Sequence, residues 1–420
     1  MTIREITVIL VSWNDADDLL AAVAGLAAAR ARVGPGGPAV SLVVVDNGGG
    51  HLSPDAVRAL WPSATMLINK NNRGFGPAAN QAVEAAAGEV LFFLNPDTRV
   101  DDEPFSAIAR VLAANPRVVA VAPRLVEMDG SVPPDSPLRL APPGQEDQAT
   151  FQLRRLPTLG SDACELLLID HLAPNNRRRR RCRYGNVDRG TTFSVEQAAA
   201  AAFAVRKDAF VRCGGFDERY IPAWYEDVDL CARLGAEGAI LYVPEARVRH
   251  RGGDSASRLG YERFLPVFYR NALRYRNTRY PLPARLTYRL LLAIGMVLRL
   301  LGLPFGTAVS RAPGEAARAY AAVLAVALGL PRPASRKALD EWPDPAASKR
   351  HHHRQRRPAD GLSSTTGLTS PRAPSTGARS TAAPESAGAA GASGSLAEPG
   401  GAGVDCVPPK PGPAATDVRW

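Results

Sequence analysis

Ile6-Thr7-Val8-Ile9-Leu10-Val11, closed by Ser12-Trp13-Asn14, is the stretch on which the fold turns. An apolar, mostly β-branched run without polar alternation is the pattern of a strand covered on both faces, as in a parallel sheet. Working outward, a helix is expected from about Asp17, with Leu19, Leu20, Val23 and Leu26 on one face, ending in the turn from Gly34 to Pro38. Ser41-Leu42-Val43-Val44-Val45 reads as a second strand and runs into Asp46-Asn47-Gly48-Gly49-Gly50. Thr65 to Ile68 reads as a third, followed by Asn69 and the loop Asn71-Asn72-Arg73-Gly74-Phe75-Gly76. Pro77 suits the first turn of a helix reaching Gly88, and Val90-Leu91-Phe92-Phe93-Leu94 is a fourth strand, ending in Asn95-Pro96-Asp97-Thr98.

Strand alternating with helix predicts a doubly wound, Rossmann-like α/β domain with a mostly parallel sheet. In such sheets ligands bind beyond the carboxyl ends of the strands. Those ends carry Asn14, Asp46, Asn72 with Arg73, and Asp97. Each alone is ordinary loop chemistry. Four on one edge define a candidate site.

A second concentration of chemistry follows. Gly214-Gly215-Phe216-Asp217-Glu218 and Tyr225-Glu226-Asp227-Val228-Asp229-Leu230 crowd carboxylates into one short segment before the apolar strand Ile240 to Val243. Like charges resist sharing a partly buried site, although acids are also common at helix starts because of the helix dipole. A helix from Asp227 places Leu230 and Leu234 on one face and Asp229 four before Arg233 as a surface pair.

Charge and composition are uneven along the 420 residues. From about Ser335 the sequence is Ala, Pro, Gly, Ser and Thr with scattered charge, too poor in large apolar residues to order itself. The net charge of +10 is concentrated in runs such as Arg177-Arg178-Arg179-Arg180-Arg181-Cys182-Arg183 and the basic stretch from Lys349 to Arg357. No aromatic residues interleave with them to stack bases, so nucleic acid is not the expected partner; an anionic membrane surface or lipid diphosphate fits at least as well. The run around 180 reads as a solvated, mobile loop. Five cysteines without a Cys-x-x-Cys pair imply neither metal cluster nor disulfide framework, which suits a reducing cytoplasm, and no signal peptide is visible. Leu290 to Leu303 and Tyr320 to Leu330 are apolar runs too short to span a bilayer. Flanked by Arg274, Arg276, Arg279, Arg285 and Arg289, they read either as membrane-interfacial helices or as core helices packing on the domain.

Taken in order, these motifs resemble the family-2 glycosyltransferases of the GT-A fold, and within them the rhamnosyltransferase-like branch. The resemblance covers about residues 6 to 275 and rests on the strand into Ser12-Trp13-Asn14, Asp46-Asn47, Asn72-Arg73-Gly74-Phe75 with Asn80, Leu94-Asn95-Pro96-Asp97, Gly214 to Glu218, Glu226 to Leu230, Pro244 and His250. It departs from the family in two places. Ala199-Ala200-Ala201-Ala202 stands where a Gly-Ala pair is usual, and the Arg-rich insertion has no common counterpart.

The resemblance implies a catalytic domain over 1–275; the apolar, arginine-flanked runs give a helical region over 276–334 that reads as membrane-interfacial or core, and composition gives a disordered tail over 335–420. The resemblance also implies an inverting transfer of a sugar, rhamnose from dTDP-rhamnose, to a glycan or polyprenyl-diphosphate-linked acceptor at the cytoplasmic face of the membrane. Ser12, Asn14, Asp46, Asn72, Arg73, Gly74, Asn80 and Asn95 are the implied nucleotide-sugar contacts. Asp97, with Asn95 in the place of the first acid of the Asp-x-Asp motif, and His250 are the implied ligands of Mg²⁺ or Mn²⁺. Asp227 is the implied general base, Glu226 in the same catalytic pair is implied to hold acceptor hydroxyls, and Asp217 and Trp224 are assigned to the acceptor. Two other readings remain. Nucleotidyl transfer usually opens with a Gly-rich loop followed by Arg and Lys, where this chain has Ser12 to Asp15. A non-catalytic nucleotide-sugar-binding or membrane scaffold would have no need of Asp46, Asp97 and Asp227 together.

Overall fold

The computed structural model describes residues 2–100, 102–128, 152–251, 260–302 and 313–330. The expected disordered tail lies outside these residues, as do residues 129–151. Strand β1 (Glu5–Ser12) is covered on both faces, as its sequence requires: Ile6, Val8 and Leu10 enter one apolar core, Ile9 and Val11 another. Thr7 is fully buried among them but satisfied, with its Oγ1 2.9 Å from Ser41 Oγ and accepting the Gly88 backbone N–H at 2.9 Å. A Cβ at residue 88 would collide with the Thr7 backbone, so this close approach needs glycine.

β1 pairs in parallel with β2 (Ala39–Asp46) and β4 (Val90–Leu94), and β3 (Thr65–Ile68) extends the sheet beyond β2. The crossovers are α1 (Ala16–Ala31), α2 (Pro54–Leu60) and α3 (Phe75–Ala85). Then come β5 (Thr98–Arg99), α4 (Phe105–Ala114), β6 (Val118–Glu127) and β7 (Leu153–Arg154), and the short helices α5 (Leu159–Leu166), α6 (Ile169–Leu172) and α7 (Arg177–Cys182). β8 (Phe193–Val195), β9 (Gln197–Ala198), β10 (Ala202–Arg206), α8 (Lys207–Arg212), α9 (Glu226–Glu237) and β11 (Ala239–His250) complete the domain.

The nine-stranded sheet runs β3-β2-β1-β4-β10-β6-β11-β5, with β8 paired to β11. It is mixed but mostly parallel: β10 alone among the central strands runs against its neighbours β4 and β6. That reversal has a consequence for the site. Ala202, where β10 begins, lies opposite Leu94, where β4 ends, so the approach to β10 and the exits of β1, β2, β4 and β11 share one edge.

Two expectations need correction here, and one departure from the family pattern finds its reason. β11 is one strand of 12 residues, where the sequence reading stopped at Pro244. Pro244 falls inside the register shift between Val243 and Arg247, and a bulge tolerates a residue without an N–H. The arginine run is a helix, not a loop, because Asn176 caps it through its Oδ1, which accepts the Arg179 N–H at 2.8 Å, and arginine is a good helix former. Arg177, Arg178, Arg180 and Arg181 nevertheless stay exposed. Finally, Ala199 to Ala202 contain no positive-φ residue; the non-glycine ones described are Asn14, Leu168, Tyr184, Trp224 and Tyr225. Alanine therefore fits there without the strain that would call for glycine.

Three longer helices follow: α10 (Tyr261–Arg279), α11 (Leu282–Gly302) and α12 (Pro313–Ala327). Leu265, Tyr269, Leu292, Met296, Tyr320 and Val323 form a third core with Leu166, Tyr220 and Tyr225 of the domain. The core-helix reading thus holds for their inner faces. No helix among the described residues is long and apolar enough to cross a membrane.

Candidate active site

The donor side of the edge is organised by a residue that sequence reasoning left out of the site. Asn47, just past β2, is buried and uses both ends of its amide. Its Nδ2 donates to Asn72 Oδ1 at 3.0 Å and to the Gly74 carbonyl at 3.1 Å. Its Oδ1 accepts from Asn69 Nδ2 and from the Arg73 N–H, both at 3.1 Å. Asn72 closes the turn by accepting the Gly74 N–H at 2.8 Å. Gly48, with φ of 91°, lets this loop come so close that a Cβ would overlap the Asn71 backbone. Asn47 therefore shapes the rim on which Arg73 stands. The Arg73 side chain is exposed and lies along α3, donating to Gln81 Oε1 at 3.1 Å.

Next to this rim, Ser12 and Asp46 are buried at the paired ends of β1 and β2. Asp46 Oδ1 accepts the Gly49 N–H at 3.1 Å. Asn14 is half-buried at φ of 58°, a left-handed conformation that asparagine tolerates better than most residues. Asn80, expected beside the nucleotide sugar, has its amide engaged within the protein. It donates to the Phe216 carbonyl at 2.9 Å and to Glu218 Oε1 at 3.1 Å, and accepts the Phe216 N–H at 2.9 Å. Its place is thus under the Gly-Gly-Phe-Asp turn.

Asp97 and His250 meet where β4 and β11 end. β5 pairs with β11 so that His250 lies opposite Thr98, which brings His250 Nε2 to 3.4 Å from Asp97 Oδ1. Burial pushes the Asp97 carboxyl up, but His250, the local backbone and Arg251 outweigh it and hold the group below its ordinary value. It is therefore an ionised carboxylate beside an imidazole, an oxygen and nitrogen pair suited to a divalent ion that takes its remaining ligands from phosphate. Among the described residues no cluster of three or more His, Cys, Asp or Glu is placed to hold a metal by itself. The pair fits a metal only if the substrate completes the shell. Asn95 stands beside it, its N–H donating to the Ala201 carbonyl at 3.0 Å.

Ala201 leads to the other acids, because the same turn touches Asp227. Asp227 is half-buried at the start of α9, its Oδ1 accepting the Val228 N–H at 2.7 Å. Burial pushes its carboxyl up, opposed by the Val228 and Ala200 backbone N–H groups and by Arg154 of β7. Glu226 is buried and its Oε2 has no hydrogen-bond partner among the described residues. Burial first, and then the Asp227 charge, raise its carboxyl well above the ordinary value. Two adjacent carboxyl groups with displaced affinities for protons are the arrangement that general acid–base chemistry uses.

The chain enters this acid pair through a strained turn. Trp224 and Tyr225 have φ of 73° and 75°, rare for aromatic residues. Helix α10 holds them there. Asn271, fully buried, donates through Nδ2 to the carbonyls of Ala223 at 2.9 Å and Trp224 at 3.1 Å. Arg270 donates to the Ile221 carbonyl, and Trp224 packs edge-on against Phe264. Arg276 reaches the Tyr225 hydroxyl at 3.2 Å, lies over the Tyr288 ring at 3.9 Å, and makes a bidentate ion pair with buried Asp162 of α5. The donor rim meets the same turn, since Phe75 N–H donates to the Pro222 carbonyl at 2.8 Å.

Two further placements complete the site. Asp229 is not the surface residue expected: it is buried between Arg233, at 2.7 Å, and Arg279, at 3.2 Å. Arg233 also donates to the carbonyls of Cys213 and Gly215 at 2.6 and 2.7 Å, tying α9 to the glycine turn. Asp217 is paired with exposed Arg219 at 2.6 Å, and that bond holds its carboxyl below the ordinary value. Sequence reasoning missed Asn47, Arg154, Asn271 and Arg276. Only Asn47 lies within a motif; the others act across tertiary contacts that no local spacing announces.

Residues 7–166 match the model of glycosyl transferase family 2. Two curated relatives, the N-acetylglucosaminyl-diphospho-decaprenol L-rhamnosyltransferases of Mycobacterium tuberculosis strains CDC 1551 / Oshkosh and ATCC 25618 / H37Rv, are each 28% identical over 232 residues, 52% of this chain and 69% of theirs. A solved mannosyltransferase, PcManGT from Pyrobaculum calidifontis in complex with GDP-Man and Mn²⁺, aligns over 78% of this chain and 87% of its own at 16% identity, with a TM-score of 0.41. Over residues 7–166 the chain is similar to the family-2 glycosyltransferases, and it is rhamnosyltransferase-like in its sequence.

Proposed function

We propose that the enzyme transfers rhamnose from dTDP-rhamnose to a polyprenyl-diphosphate-linked sugar or growing glycan at the inner face of the cell membrane, inverting the anomeric configuration. The observation that carries this reading is the convergence, on one sheet edge, of the Asp97 carboxylate beside His250 and the raised Asp227 carboxyl, joined through the Asn95–Ala201 and Ala200–Asp227 contacts. The curated relatives, by their names, act on N-acetylglucosaminyl-diphospho-decaprenol, which favours rhamnose and a lipid-linked acceptor.

In this reading Ser12, Asn14 and Asp46 face the nucleoside, a carboxylate being the group that accepts from an imide N–H or ribose hydroxyls. Arg73 stands on the Asn47-built rim toward the diphosphate. Asp97 and His250 would hold Mg²⁺ or Mn²⁺. The chemistry such an ion supplies there is neutralisation of charge on the departing diphosphate. Asp227 takes the proton of the acceptor hydroxyl as that oxygen bonds to the anomeric carbon and the bond from that carbon to the diphosphate oxygen breaks. A carboxyl raised toward neutral pH is better matched to this task than an ordinary one. Glu226, its carboxyl raised by burial and one oxygen without a partner, is placed to hydrogen-bond an acceptor hydroxyl, and Trp224 offers that acceptor an aromatic wall.

The test is turnover and binding of a panel of sugar nucleotides by purified protein, with Mg²⁺ and with EDTA, beside Asp227→Asn. Metal-dependent turnover of dTDP-rhamnose that is lost in the variant is the expected result. Preference for another donor would replace the sugar named here, and absence of binding to any donor would overturn the reading.

A further inference from the structure

Helix α11 is one-sided in a way that the third core does not explain. Tyr288, Leu292 and Met296 point into the protein, whereas Leu282, Leu286, Leu290, Ile294, Val297 and Leu301 are all exposed. Their spacing of three and four keeps them on one stripe along the whole helix, about 28 Å at 1.5 Å per residue. Leu328 and Leu330, just past α12, are exposed as well. They adjoin the stripe, because Arg289 Nη1 donates to the Ala327 carbonyl at 3.0 Å. A continuous aliphatic surface of this size on a soluble domain marks a binding face.

Charge decides what covers it. Helix α11 carries Arg285, Arg289 and Arg299 and neither Asp nor Glu, whereas Arg276 and Arg279 of α10 are already paired with Asp162 and Asp229. Arg285 and Arg289 flank the stripe, fixed there by bonds to the carbonyls of Tyr280 and Ala327. A second copy of the chain on a two-fold axis would set this cationic rim near its own image with no acid on the helix to pair with it. An anionic bilayer complements both features, the stripe entering the headgroup boundary and the arginines meeting lipid phosphates.

We propose that the outer face of α11, with Leu328 and Leu330, lies on the surface of an anionic lipid bilayer as an interfacial element. The proposal builds on the reading of a lipid-linked acceptor, and its geometry serves that reading. The inner side of the same helical module holds the Trp224–Tyr225 turn through Asn271 and Arg276, so a docked α11 would keep the Glu226–Asp227 pair on a body fixed at the membrane.

Co-sedimentation of the full chain with vesicles tests it without any acceptor. Vesicles of phosphatidylcholine alone and of phosphatidylcholine with phosphatidylglycerol are compared at low and high salt. The expected result is binding to the anionic vesicles that weakens with salt, and at least about tenfold weaker binding for Leu286→Gln/Leu290→Gln/Ile294→Gln. Arg285→Gln/Arg289→Gln should reduce the preference for the anionic vesicles. Donor binding and thermal unfolding of each variant, expected unchanged, separate a lost surface from a lost fold. Failure of wild-type protein to bind anionic vesicles, or equal binding by the leucine variant, overturns the proposal. A wild-type dimer in sedimentation velocity that the leucine variant dissociates, with vesicle binding unaltered, assigns the face to a second copy. Vesicle binding with no donor turnover would instead sink the catalytic reading and leave this one standing.

Discussion

On the donor side of the sheet edge, the loop after β3 is fixed by neutral hydrogen bonds between near neighbours in sequence: Asn47 reaches residues 22 to 27 positions away. On the acid side, the turn before Glu226 is fixed by side chains from much farther off. Asn271 reaches back 47 and 48 positions to Trp224 and Ala223, Arg279 reaches 50 to Asp229, and Arg276 reaches 114 to Asp162. The comparison teaches that the donor pocket is a local construction of strand ends, while the acid pair depends on a helical module docked against the domain. A neutral, local rim can persist when distant helices shift. An acid pair entered through a turn that the buried Asn271 and Arg276 hold cannot.

The sharpest way to separate the two sides is Asp227→Asn. Turnover should fall by about 10²–10⁴ with donor affinity unchanged, measured by steady-state kinetics beside donor titration; a matching loss of donor affinity would erase the distinction. In the wild type the acidic limb of the kcat profile should lie above the ordinary carboxylate range, because Asp227 must be ionised to act and burial raises its carboxyl.

Arg276→Met comes next. It leaves buried Asp162 without its partner and should lower unfolding free energy by about 3–5 kcal/mol in denaturant titration. A loss smaller than about 1 kcal/mol would mean that the helical module is not the clamp argued here. Asn47→Ala removes both ends of the donor-side knot and should weaken donor binding by about 2–3 kcal/mol, since buried partners are left unsatisfied, while unfolding changes less. Equal effects of Asn47→Ala and Asn271→Ala on donor affinity would break the comparison.

Glu226→Gln gives a finer reading through pH. A carboxyl raised in the folded state contributes its stability in full below its unfolded value and loses it as pH rises through the folded one. The variant should therefore gain thermal stability over wild type as pH increases, and not at acid pH. At the small end, Arg177→Ala/Arg180→Ala should change stability by no more than about 0.5 kcal/mol, because these side chains are exposed on α7.

Legibility followed the same division. β1 to β4 and the polar strand ends were readable because unbroken β-branched runs and the loops that end them are local patterns, within a residue or two at each boundary. The capped helix of the arginine run was missed because charge hid the Asn176 cap, and β11 was cut at Pro244 because a bulge cannot be told from a break without its partner strand. Asn80 shows the limit for the site: its motif was visible, but its partner lies 136 positions away.

The sequence alone determined that this is a mostly parallel α/β domain with Asp46 and Asp97 at one edge and an acid-rich helix start to follow, because strand period and helix entry are properties of short stretches. Only the tertiary structure decided that Asp229 is a buried bridge between Arg233 and Arg279, that Glu226 keeps an oxygen without a partner, and that the aliphatic side of α11 faces outward. Those outcomes depend on which distant side chains arrive to neutralise a charge or cover a surface, and burial, which sets their energies, is a property of the whole packed chain.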